Sequence, residues 1–118
     1  MLKEGYIGKW KKYPKDEIKV RVARPSILAP SRELLGDFME RKKYWMGREL
    51  SELEARKEAW AETEYEKRFR EEMLGNPKAM AKLREIKKLS ERKDVRLICY
   101  EKNPPCHRFV LIDLIRSL

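Results

Sequence analysis

The chain contains no glutamine, only two asparagines and a single threonine, while Lys, Arg and Glu abound. Such usage is typical of proteins from very hot environments, where surface ion-pair networks gain value and thermolabile amides are avoided. No apolar run approaches the roughly 20 residues that span a bilayer. The opening MLKEGYIGKW also lacks the apolar core of a signal peptide. A cytoplasmic location is therefore expected. Cysteine is limited to Cys99 and Cys106, and histidine to His107. Reduced thiols are the default in that compartment, a default that the intracellular disulfides of hyperthermophiles relax.

What the chain does contain is charge. Of its 118 residues, 42% are apolar and 42% charged, with a net charge of +9. The apolar residues recur periodically, so residues 1–118 read as one folded α/β domain with a single modest core. The charge is uneven. Residues 1–30 hold eight Lys/Arg against three Asp/Glu, a balance of +5, whereas residues 31–90 hold 15 against 13. A basic first quarter suits contact with phosphate backbones, set against the plainer reading of a solvated surface.

Along the chain, EIKVRVAR alternates Ile18, Val20 and Val22 with Lys19 and Arg21, the period of a strand. Ser31 after Pro30 is a good helix N-cap, and Leu34, Leu35, Phe38 and Met39 form the apolar stripe that follows. Residues 40–62 are densely charged, carry a Ser51–Glu54 capping box, and read as a peripheral helical insertion. Trp45 and Trp60 either argue against a wholly peripheral segment or mark a self-association surface. Tyr65, Phe69 and Met73 sit at i+4 spacing on the next helix, and Asn76-Pro77 opens another that buries Met80, Leu83, Ile86 and Leu89. DVRLICY is a strand. CHRFVLIDLIRSL is apolar almost all round and predicts a buried helix opened by Pro105. Strands alternating with helices predict a small, mostly parallel sheet flanked by helices.

Both cysteines and the histidine fall within CYEKNPPCHR, residues 99–108. A strand, a tight loop and a helix start place this stretch where α/β sheets bind ligands, beyond the carboxyl ends of the strands. Arg108 offers a planar fork for phosphate or carboxylate. Cys106 near a helix start tends toward thiolate. His107 exchanges protons near neutrality, and Glu101 is a base or an orienting partner. The plainer readings are a buried Cys99, a structural Cys106 or a disulfide between the two, and an Arg108 that pins the turn. Cys-x6-Cys-His offers three metal ligands but lacks the tight spacing of a structural zinc knuckle, so no metal or cofactor is expected.

VRLICYEKNPPCHRFVLIDLI resembles the signature of the family known as domain of unknown function 488, with its strand, Cys, Glu and then Cys-His-Arg. LAPSRELLGDF, TEYEKRFREEML and YIGKWKKYPKDEIKVRVAR resemble further segments of that family, leaving residues 40–62 outside the likeness. The resemblance implies an α/β sandwich and nominates Cys99, Glu101, Cys106, His107 and Arg108 as candidate catalytic residues. It also nominates Arg24 and Ser31 as binding residues. The aspartate that many longer members carry in an early strand is absent from VRVAR. The resemblance implies no substrate. The leading expectation is a domain that binds or processes a phosphate-bearing or other anionic ligand, a nucleotide or nucleic acid, at Cys99–Arg108. The rivals are a non-catalytic basic nucleic-acid-binding accessory protein and a cysteine-based redox or metal-responsive protein.

Overall fold

The computed structural model of the chain describes residues 1–118. Three short strands form one sheet: β1 (Leu2–Tyr6), β2 (Ile18–Arg21) and β3 (Val95–Cys99). β3 lies in the middle and runs parallel to both neighbours. Its register pairs Val95 with Leu2 and with Ile18, and Cys99 with Tyr6. The two strands read from the sequence are therefore parallel neighbours. β2 ends at Arg21, although the Val22 N–H still donates to the Ile98 carbonyl at 2.9 Å.

Side chains alternate across a strand. Val95, Leu97 and Cys99 join the main apolar core. Arg96 faces the other way, binding the Glu17 carboxylate at 2.6 and 3.1 Å, with its guanidinium carbon 4.0 Å from the centre of the Tyr13 ring. Tyr13 belongs to the segment between β1 and β2 and packs tightly on the sheet. A Cβ placed on Gly5 of β1 would lie 2.6 Å from its ring, so only glycine fits there.

Five helices complete the fold: α1 (Arg32–Met46), α2 (Glu52–Glu62), α3 (Tyr65–Leu74), α4 (Pro77–Ser90) and α5 (His107–Arg116). Their starts follow local chemistry. Ser31, Ser51 and Asn76 each accept a first-turn N–H, and Pro77 occupies the position where a missing N–H costs nothing. Tyr65, Phe69 and Met73 of α3 and Met80, Leu83 and Ile86 of α4 are buried as their spacing predicts. In α1 the buried stripe narrows to Leu34 and Phe38, and Met39 is 49% exposed.

α5 buries seven of its ten residues. It starts at His107, not at Pro105. Cys106 is its extended N-cap, with φ −156° and ψ 145°, and the carbonyls just before it are held from outside by Arg56. Residues 40–62 make up the end of α1, a turn and α2, which fold back as a hairpin. The inner face of α2 buries Ala55, Arg56 and Ala59, the two small side chains allowing close approach. No helix is long and apolar enough to cross a membrane.

Candidate functional site

Parallel strands deliver their C-terminal ends to one edge of a sheet, and there the loops after β2 and β3 meet the α1–α2 hairpin. Between them lies a cavity of about 150 Å³. Phe38, Trp60 and Tyr65 give it aromatic walls, with Trp60 and Tyr65 stacked at 4.1 Å and Phe38 edge-on to both. Cys99, Cys106 and His107 line its buried part, and Arg24, Arg56 and Glu101 supply its charge.

The cysteine–histidine trio is assembled by three separate pieces of chain. Cys99 ends the central strand, Cys106 caps α5, and the His107 ring is fixed by its Nε2, which lies 2.7 Å from the Val22 carbonyl beyond β2. A carbonyl only accepts, so Nε2 carries the proton and donates it. That leaves Nδ1 facing both sulfurs, each at 3.8 Å. Phe69 meets the ring edge-on and keeps it from turning. The hydrogen bond from Cys106 holds the Cys99 thiol below its ordinary pKa, against the effect of burial. The same contact with Cys99, together with burial, pushes the Cys106 thiol up. Burial likewise raises the Tyr65 phenol. Chemically, the trio offers a thiol–imidazole pair, and its sulfur and nitrogen atoms all lie within 4.8 Å of one another.

Of the residues nominated from the sequence, the structure brings Cys99, Glu101, Cys106, His107 and Arg24 to this cavity. Arg24 stands half-buried at the end of the β2 segment, with Nη1 3.4 Å from the Pro30 carbonyl. Glu101 is partly exposed. The structure places Arg108 elsewhere. Its Nε donates to Glu4 at 2.7 Å, Nη1 donates to the Glu101 carbonyl, and Nη2 donates to the Lys102 carbonyl at 3.0 Å. It is 1% exposed and pins the loop from the β1 side. Consecutive helical residues point about 100° apart, so His107 and Arg108 serve different faces. Ser31 also lies outside the cavity lining. It caps α1, and its N–H and hydroxyl both donate to Glu72 of α3.

The residue that the sequence did not single out is Arg56. It is 5% exposed and lines the cavity opposite the trio's loop. Its Nη2 donates to the carbonyls of Asn103, at 3.0 Å, and Pro105, and its Nη1 lies 3.6 Å from the Glu101 carboxylate. Its Nε is buried with no acceptor. Among the charges of ELEARKEAW it looks like a solvated surface arginine. The signal was its neighbours: Ala59 and Trp60, three and four residues on, put it on the packed face of α2.

Comparison with known proteins gives one family. The family model for DUF488-N3a, described as the active DUF488-N3 subclade, matches residues 10–118. No curated protein and no solved structure matches the chain.

Proposed function

The chain belongs to the DUF488-N3a family, and from that premise we propose that its cavity binds and chemically processes a small anionic ligand with a planar ring, of the nucleotide class. The observation that carries this reading is Arg56. Its guanidinium is almost fully buried and its side chain lines the cavity, so it sets a positive charge where little water screens it. Arg24 lines the same cavity and supplies a second positive charge for phosphate or carboxylate.

Size supports the ring. A cavity of about 150 Å³ is the scale that admits a benzene-sized molecule, and Phe38, Trp60 and Tyr65 give it aromatic surface. The trio at the buried end supplies the chemistry, and the description of the subclade as active agrees with a site that reacts.

Thermal shift against AMP, UMP, adenosine and inorganic phosphate tests the reading, since a ligand that binds only the folded state raises apparent stability. The nucleotides are expected to stabilise the protein more than the nucleoside or phosphate alone, and Arg56→Lys and Arg24→Ala to remove the difference. Equal, negligible shifts for all four compounds overturn it.

A second reading has its own observation. The 3₁₀ turn Ile7–Lys12 exposes Trp10 among Lys9, Lys11 and Lys12, a combination that suits stacking on single-stranded nucleic acid. Binding of an oligonucleotide that falls steeply with salt, is lost with Trp10→Ala and is indifferent to Arg56→Lys favours this second reading.

A further inference from the structure

We propose that Cys99, Cys106 and His107 form a three-ligand site for a zinc-class divalent ion, with its fourth coordination position open to the cavity. This goes beyond the ligand reading and does not depend on it.

The donor set is the first argument. Two thiolates and an imidazole suit a borderline-soft ion such as Zn²⁺, and three protein ligands with one open position is the pattern of reactive zinc centres. Spacing is the second. A tetrahedral zinc ion with ordinary bond lengths requires about 3.6 Å between a sulfur and a nitrogen ligand and about 3.8 Å between two sulfurs. His107 Nδ1 lies 3.8 Å from each sulfur. The sulfur–sulfur edge falls inside 4.8 Å, so a small rotation of one cysteine side chain closes the triangle.

The outer shell is the third argument. Metal-bound histidines donate their other ring N–H to a carbonyl or carboxylate, which fixes both tautomer and orientation. His107 Nε2 does this with the Val22 carbonyl at 2.7 Å, leaving Nδ1 as the free lone pair beside both sulfurs. The tight spacing of sequence-adjacent cysteine knuckles is not needed, because the end of β3 and the start of α5 bring the ligands together across the loop. All three ligands line the cavity, and the proposal assigns the fourth position to that side. Glu101 lines it too and is the carboxylate available to take a proton from a metal-bound water.

The test uses the full chain, reduced with a phosphine and stripped with a chelator, then titrated with Co²⁺ alone. The expected result is one ion per chain, a thiolate-to-cobalt charge-transfer band in the near ultraviolet, and intense visible bands of tetrahedral cobalt that Zn²⁺ abolishes by displacement. Cys106→Ser is expected to weaken Zn²⁺ binding by roughly 100-fold or more, at least the loss that outer-shell changes already cause. A second measurement needs no variant: Zn²⁺ alone should protect both thiols of the wild type from a thiol reagent. A weakly absorbing octahedral cobalt spectrum, or thiols that react at the same rate with and without Zn²⁺, overturns the proposal. AMP stabilisation measured on the chelator-treated protein separates the two readings. If it persists while cobalt fails to bind, only the metal site falls. If cobalt binds and no nucleotide stabilises, only the ligand reading falls.

Discussion

Arg56 and Arg108 hold the same loop from opposite sides, and both are almost fully buried. Arg108 takes the carbonyls of Glu101 and Lys102 and spends its Nε on Glu4, whereas Arg56 takes those of Asn103 and Pro105 and leaves its Nε without an acceptor. The sequence favours Arg108 as the functional one because it adjoins the cysteine–histidine cluster. In the structure Arg56 lines the cavity and Arg108 does not. Arg108 braces the loop away from the cavity, whereas Arg56 lines the cavity beside Arg24, which is why the proposed ligand reading rests on Arg56.

The largest effect that separates the two is on stability. Arg108→Ala removes the partner of Glu4 and strips donors from two carbonyls, and is expected to cost about 3 kcal/mol. Urea unfolding should show it as a lower midpoint at unchanged slope. Arg108→Lys restores charge but not the fork, so it should recover under half of the loss. If the Arg108→Ala variant keeps wild-type stability and loses nucleotide stabilisation instead, the roles of the two arginines are exchanged.

Gly5→Ala tests the brace from the strand side, next to Glu4. The new methyl meets the Tyr13 ring, which the Tyr6 N–H and the Arg96 guanidinium hold in place. Overpacking of this kind costs about 1–3 kcal/mol. Nucleotide stabilisation measured by thermal shift should be retained, because Gly5 does not line the cavity.

Arg56→Lys should do the opposite. A lysine reaches the loop carbonyls with a single ammonium, so the stability loss should stay near 1 kcal/mol. The nucleotide-dependent shift should vanish. Calorimetric titration with AMP checks the binding half of this outcome, and a urea midpoint checks the other.

The smallest effect belongs to the one exposed ion cluster of the β1 edge. Asp94 lies 3.1 Å from Lys3 and 3.4 Å from the terminal amine, and these partners, Lys3 foremost, hold its carboxyl below the usual range. A lowered folded pKa contributes stability above the unfolded value that is lost as pH falls through the folded one. Asp94→Asn should therefore remove a small, salt-sensitive part of the stability at neutral pH and leave acid stability unchanged. Thermal unfolding of the two proteins across pH 2–7 reads the difference.

Periodicity and caps carried most of the fold. The alternation of Ile18 and Val20, the i+4 spacing of Tyr65, Phe69 and Met73, the Ser31, Ser51 and Asn76 caps and the apolar run after Arg108 each depend on neighbours within four residues. Such signals are local and survive in one dimension. The stretch that lines the cavity was legible too, since both cysteines and the histidine share one turn. The sequence by itself thus determined a parallel α/β domain of this family and the stretch that contributes most to its cavity lining. Tertiary structure alone decided which side chains face one another. β3 slots between two earlier strands, which carries the Val22 carbonyl to His107, 85 residues away. The α1–α2 hairpin folds back to set Arg56 over the loop, and the rotation of about 100° between consecutive helical residues sends Arg108 to another side than His107. Those outcomes depend on the direction of each side chain and on contacts between distant segments, and neither is written in local spacing.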